Sequence, residues 1–221
     1  MRVERCFAFI DLSGFTAFTE RCGDERTVEV LTRFRGRVRA IAARRGVRVT
    51  KWLGDGAMLS SADTPAVVAM AIELADRISA ELPLGVRAGL AHGPVIMFEG
   101  DDYIGRPANV AARLCDAAGD GQVLATREVA SRTPRWVAAG TFSGYPARGL
   151  DRPVEATVLS IASADATTVD PCCGLTLPLE PGLDTRFGSD GTVVHFCSTA
   201  CAVAWEADER RPPPLETLSQ A

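Results

Sequence analysis

Two aspartates define the chemistry open to this 221-residue chain. Asp11 closes the apolar run Phe7-Ala8-Phe9-Ile10 and leads into Leu12-Ser13-Gly14-Phe15-Thr16, whereas Asp55 sits in Lys51-Trp52-Leu53-Gly54-Asp55-Gly56. The first reads as a strand end running into a helix start, the second as a hairpin turn. Carboxylates brought together from two such places can hold divalent cations against a triphosphate, one ion activating a hydroxyl and the other screening phosphates. A helix opening at Gly14, Phe15 and Thr16 offers backbone N–H groups suited to a phosphate beside those ions. Taken singly, either aspartate is ordinary capping or turn chemistry. A third segment makes the pair worth reading together. In Asp102-Tyr103-Ile104-Gly105-Arg106-Pro107-Ala108-Asn109-Val110-Ala111-Ala112-Arg113-Leu114, Asn109 and Arg113 are four apart on a helix of otherwise small and apolar positions, so both project from one face. The arginine can stabilise charge on a reacting phosphate, and the asparagine can orient a sugar.

The elements that must position these groups alternate along the chain. Strand-like runs at Cys6–Leu12, Val47–Trp52, Ala57–Ser60, Gly85–Ala91, Pro94–Phe98, Gln122–Ala125 and Val154–Leu159 are interleaved with helical patterns at Thr16–Arg21, Glu25–Arg44, Pro65–Leu82, Asn109–Ala117 and Arg127–Arg132. This predicts an α/β layer over residues 1–162 with mixed strand directions, because the segment around Gly54-Asp55-Gly56 is a hairpin. Small polar residues at 163–169 read as a linker, 170–208 as a cysteine-bearing module, and 209–221 as a disordered, proline-rich tail.

Composition excludes several classes of function. With 47% apolar residues the chain can bury one core of about 150 residues. Its net charge of −4, from 24 basic and 28 acidic residues without a long basic run, disfavours nucleic-acid and anionic-membrane partners. No apolar stretch approaches the roughly 20 residues of a membrane span, and the start lacks the apolar core and cleavage site of a signal peptide. The expected location is cytoplasmic. There Cys172, Cys173, Cys197 and Cys201, gathered near the C-terminus, suggest metal before disulfide.

In the order F-x-D-x-x-G-F-T (Asp11), K-x-x-G-D (Lys51, Asp55), R-x-G-x-x-x-G (Arg87, Gly89, Gly93), D-Y-x-G (Asp102), N-x-x-x-R (Asn109, Arg113) and a late Arg148-Gly149, the chain resembles the catalytic domain of class III nucleotidyl cyclases. The short stretch between Gly93 and Asp102 is similar to the compact bacterial subclass, and the start of the chain near its first strand implies no N-terminal sensor domain. The resemblance implies a ferredoxin-like α+β sandwich whose mixed, largely antiparallel sheet is flanked by helices. It implies that Asp11, Asp55 and the Leu12 carbonyl bind two Mg²⁺ or Mn²⁺ ions, that Lys51 and Asp102 read the adenine edge, and that Asn109 and Arg113 orient ribose and stabilise the transition state. Arg87 and Arg148 match phosphate-contacting positions. The activity so implied is conversion of ATP to 3′,5′-cyclic AMP and pyrophosphate in a homodimer with two composite sites. A guanylyl cyclase, or a non-catalytic nucleotide-binding and dimerisation module, is the alternative.

The C-terminal piece, Asp170-Pro171-Cys172-Cys173-Gly174-Leu175 with His195-Phe196-Cys197-Ser198-Thr199-Ala200-Cys201, resembles a YHS domain, with Leu175 where that family usually has Met. That implies Zn²⁺ or Cu⁺ on Cys173, Cys197 and Cys201, with Cys172 or His195 as a fourth ligand, and a metal-responsive tail. His92 is given no role.

Overall fold

Strand β1 (Arg2–Leu12) runs through the middle of the protein. Its Cys6, Ala8, Ile10 and Leu12 enter one core while Phe7 enters a second on the opposite side, so the strand is covered on both faces and reads as a continuous apolar run. The computed structural model describes residues 1–99, 102–145, 152–180, 182–188 and 190–209.

Helices α1 (Phe15–Cys22) and α2 (Asp24–Arg44) follow, then the hairpin β2 (Arg48–Leu53) and β3 (Gly56–Ser61), helix α3 (Thr64–Glu81) and strand β4 (Val86–Phe98). Next come β5 (Asp102–Ile104), α4 (Arg106–Ala117), β6 (Val123–Thr126), α5 (Arg127–Ala130), β7 (Val137–Ala139), β8 (Ser143–Tyr145) and β9 (Val154–Ile161). The sheet order is β2-β3-β1-β4-β6-β9-β7, with β5 on β4 and β8 on β9; among the described residues only β4 and β6 pair in parallel. Thus the mixed, mostly antiparallel sheet flanked by helices is the one expected. α2 and α3 cover one face and α4 the other. α2 is amphipathic, burying Val30, Phe34, Val38 and Ile41 at helical spacing. α3, capped where Asp63 Oδ1 accepts from the Ala66 N–H at 3.1 Å, is apolar nearly all round because it lies between the sheet and α2. Among the described residues no helix is long and apolar enough to cross a membrane.

Where the sequence suggests two runs broken at Ala91-His92-Gly93-Pro94, the structure has one 13-residue strand, β4. A proline is tolerated there because it falls in a gap on that side of β4, between β6 along Ala88–Leu90 and β5 along Ile96–Phe98. The expected linker also carries structure: β10 (Thr167–Val169) pairs with β11 (Thr176–Pro178). A second hairpin, β12 (Asp184–Phe187) with β13 (Val193–Phe196), and helix α6 (Thr199–Glu209) complete the cysteine segment. That segment shares its core with α2 and α3, to which it contributes Cys173, Leu175, Leu177, Phe196, Cys197 and Cys201. The expected disordered tail lies, but for Glu209, outside the described residues.

Candidate active site

Alternation along the strands decides which side chains share a face. Asp11 follows Phe7 and Phe9 onto the α4 side of the sheet, and Arg87, its partner across the β1–β4 ladder, meets it there. Arg87 Nη2 and Nε both donate to Asp11 Oδ2, at 2.6 and 3.1 Å. Asp55 arrives from the neighbouring hairpin. Gly54 takes a positive φ of 63° at the first position of the two-residue loop. Gly56 then lets β3 begin against β1, for a Cβ there would stand 2.6 Å from the Ile10 carbonyl oxygen and 3.1 Å from Asp11 Oδ1. Asp55 shares a hydrogen bond with Asp11, and burial first, then the Asp11 charge, holds its carboxyl above the usual carboxylate range. Two half-buried carboxylates with one arginine between them make a site short of positive charge, which a hard divalent cation with oxygen ligands suits.

Other expected groups gather on the same face. Lys51 stands opposite Met58, a residue of the α4-side core, and its Nζ lies 2.5 Å from Asp102 Oδ2. The Lys51 ammonium holds the Asp102 carboxyl below its ordinary range. α4 lies directly on β4 because residue 89 is glycine: a Cβ there would come within 2.2 Å of the Ala111 carbonyl oxygen and the Cys115 nitrogen. This seats Arg113 along a cleft of about 300 Å³ that Asp11, Gly56 and Asp116 also line. Asn109, one turn earlier, is exposed and does not line the cleft. At the end of β1, Gly14 is left-handed (φ 73°) and gives α1 no side-chain cap, so the first N–H groups of that helix, at Phe15 and Thr16, have no capping partner; Ser13 Oγ beside them is buried without one. Arg148 lies outside the described residues.

Asp116 is a residue that motif reading missed. Its carboxylate accepts from Arg113 Nη1 at 3.1 Å and its carbonyl from Arg87 Nη1 at 3.4 Å, so it tethers both arginines. Its position three after Arg113 on a helix was the available signal.

The cysteine cluster forms as expected with a different fourth member. The Cys173 and Cys197 sulfurs lie 3.8 Å apart, and those of Cys197 and Cys201 lie 3.6 Å apart. Among the described residues the carboxylate that completes a group within 4.8 Å is that of Asp170. Cys172 is partly exposed at the rim, hydrogen-bonded to Cys201, and His195 is turned along β13 to Thr185 Oγ1 at 3.3 Å. Asp170 is itself engaged by backbone: Oδ1 accepts from the N–H groups of Cys172 (2.8 Å) and Cys173 (3.2 Å), and Oδ2 from that of Cys197 (2.8 Å). Arg45, the residue just past α2, reaches in from the helix layer on the face of the sheet opposite α4. Only 4% exposed, it donates to Glu73 Oε2 at 2.8 Å and to Cys197 Sγ at 3.2 Å. Breaking such a buried ion pair by removing one partner costs about 3–5 kcal/mol. Trp136 Nε1 adds a bond to the Cys197 carbonyl at 2.9 Å.

The geometry has counterparts among known proteins. A family model described as the adenylate and guanylate cyclase catalytic domain matches residues 3–138. A protein of Mycobacterium tuberculosis, named as uncharacterized, is 37% identical over 166 residues, covering 74% of this chain and 43% of that relative. The chain therefore spans less than half the length of that relative. The crystal structure of the adenylyl cyclase CyaB from P. aeruginosa superposes with a TM-score of 0.65 at 26% identity, covering 74% of this chain and 96% of that one. The guanylyl cyclase Cya2 has the same fold, with a TM-score of 0.63 at 20% identity over 74% of this chain and 95% of its own. Because that family model takes in well over half of its length, the chain belongs to the adenylate and guanylate cyclase catalytic domain family.

Proposed function

We propose that the chain is an adenylyl cyclase, converting ATP to 3′,5′-cyclic AMP and pyrophosphate. The observation that carries this reading is the Lys51–Asp102 pair standing on the same sheet face as the Asp11–Asp55 carboxylates. An ammonium can donate to adenine N1 and a carboxylate can accept from the exocyclic amine; guanine presents the reverse pattern. Asp11 and Asp55, with the Leu12 carbonyl, would hold two Mg²⁺ or Mn²⁺ ions, and the donor set of paired carboxylates fits such ions. Those ions, when bound, lower the barrier to deprotonating the ribose 3′-hydroxyl and screen the triphosphate. The hydroxyl attacks the α-phosphorus, the bond to the β-phosphate oxygen breaks, and pyrophosphate leaves. Arg87 would exchange Asp11 for phosphate oxygens, and the N–H groups at Gly14, Phe15 and Thr16 would face the same phosphates. Arg148 is assigned a further phosphate contact, Asn109 the ribose, and Arg113 the charge that develops in the transition state.

The reading includes a homodimer in which Asn109 and Arg113 act on the partner's metal site. Exposed Asn109 outside the cleft supports it, as do the exposed apolar side chains Ile96, Phe98 and Ile104 on the β4–β5 hairpin, which suit a second copy. The test is a product assay with ATP and GTP in Mn²⁺ or Mg²⁺. Cyclic AMP is expected as the main product, and exclusive cyclic GMP formation would sink the adenylyl assignment. In the same assay Lys51→Glu with Asp102→Gly should raise the ratio of GTP to ATP turnover, since the donor becomes an acceptor and the amine acceptor is lost. An unchanged ratio would mean that the base is read elsewhere.

The cysteine segment is assigned as a YHS-like module whose bound cation modulates the cyclase. Three thiols within hydrogen-bonding reach of one another suit a soft or borderline ion, Cu⁺ or Zn²⁺, with Asp170 organising the loops through its three N–H partners. The contact of Arg45 with Cys197 supports a link to the catalytic side. Metal analysis of the full chain, purified under reducing conditions, should find about one ion per chain, lost together with several degrees of Tm in Cys197→Ser/Cys201→Ser. A metal-free full chain whose Tm is indifferent to a strong chelator would make the cysteines ordinary packing.

A further inference from the structure

The arginine-rich stretch of α2, Arg33 to Arg39, divides into two pairs spaced four apart. Arg33 and Arg37 turn to α3, where Arg33 donates to the Glu81 carbonyl and Arg37 pairs with the Glu81 carboxylate. Arg35 and Arg39 turn to the β2–β3 hairpin. Their guanidinium carbons lie 5.1 and 5.0 Å from the centre of the Trp52 ring. Arg35 Nη2 also donates to the Gly54 carbonyl oxygen at 2.7 Å.

The location of these contacts gives them their meaning. β2 is the edge strand of the sheet, so its outer side has no ladder, and the loop Gly54-Asp55 is the minimum a hairpin allows. Trp52 packs toward the α2-side core while its neighbour Lys51 faces the other way, toward α4. The clamp therefore grips the hairpin from behind and leaves Lys51 and Asp55 free on the catalytic face. The hairpin needs a grip from this side, because Asp55 rides on a two-residue loop at the end of an edge strand. A cation–π contact on each of two arginines and one charge-assisted hydrogen bond to the loop backbone can hold that arrangement.

We propose that Arg35, with Trp52 and Arg39, is a positioning residue for catalysis: through Gly54 it fixes the loop that presents Asp55 to the metal ions. It touches neither metal nor nucleotide and acts only through the hairpin. This inference rests on the reading of Asp55 as a metal ligand, so its test includes a measurement that needs no turnover.

The variants are Arg35→Ala, Arg35→Lys and Arg39→Ala, in the full chain. Two quantities are read: Mn²⁺ binding by calorimetry in the presence of a non-cyclisable ATP analogue, and steady-state kinetics with ATP. Arg35→Ala should weaken Mn²⁺ binding by about tenfold and lower kcat by a similar factor, the size expected when one charged hydrogen bond that orients a ligand is lost. KM for ATP at saturating Mn²⁺ should stay within about twofold, since Lys51 is held in the β2–β3 ladder opposite Met58 whereas Asp55 rides on the loop beyond it. Arg35→Lys keeps a cation and a donor and should recover most of the loss; Arg39→Ala, which removes only a stacking contact, should fall between. Mn²⁺ affinity within twofold of the parent in Arg35→Ala, or a loss that Arg35→Lys does not repair although its Tm equals the parent's, overturns the proposal. Absence of cyclase activity in the parent chain would defeat the functional reading, and the calorimetric comparison would still decide the role of Arg35.

Discussion

Asp55→Asn is expected to abolish cyclase turnover, by on the order of 10³-fold or more, while making the ion-free protein more stable. The carboxylate would bridge cations that the transition state cannot do without, and an amide carries no charge to replace it. Without those cations the same carboxylate is a burden. Its burial and the nearby Asp11 charge disfavour ionisation, so the folded state holds the proton more tightly than the unfolded chain does. A raised carboxyl contributes least at neutral pH: the ion-free protein loses stability as pH climbs from the ordinary carboxylate range through the raised folded value, and keeps that loss above it. Removing the charge should therefore raise Tm near pH 7 by about 2 °C, with the gain vanishing toward pH 4. Thermal scans in chelator across that range check the stability half, and product assays in Mn²⁺ check the other. Near-normal turnover in Asp55→Asn, or in the companion Asp11→Ala with fold intact, would end the two-metal reading.

The second large effect is a recovery. Asp55→Asn and Asn109→Ala should each be inactive alone, and an equal mixture of the two should regain about a quarter of the parent activity. Random pairing puts half of the chains into mixed dimers, and each mixed dimer keeps one intact site of two. Crosslinking or native mass measurement must show that mixed dimers form. With those present, no recovery would assign the whole site to one chain, an arrangement for which Arg113 is already placed, since it lines the same cleft as Asp11.

Much of the site was legible because its residues are held by local rules. Asp11 and Asp55 occupy a strand end and a hairpin loop, and both positions announce themselves through the glycines and apolar runs around them. Gly89 was visible as a motif letter and Gly56 as part of the hairpin turn, but the reason for each is a backbone approach from a distant segment, which only the fold displays. The short strands β5, β7 and β8, three residues each, carry too little alternation to be read from a sequence. Asp170 and Arg45 were illegible for a different reason. The one is polar and fully buried, justified only by the three N–H groups it gathers, and the other is an arginine at a helix end whose partners lie 28 and 152 residues away.

The core shared between α2, α3 and the cysteine segment also bears on the order in which the fold is completed. Residues through Ile161 supply every strand of the large sheet, yet among the described residues the outer side of α2 and α3 and the buried Arg45–Glu73 pair are covered by residues 170–205. On a ribosome the chain emerges from its N-terminus, and the cyclase sheet is complete in composition well before the segment that seals it has been made. Until then the outer side of α2 and α3 stays uncovered and its charge pair faces water. The piece that closes the fold is therefore made after the sheet and helices it covers, and a chain cut short within that piece is left with its core exposed.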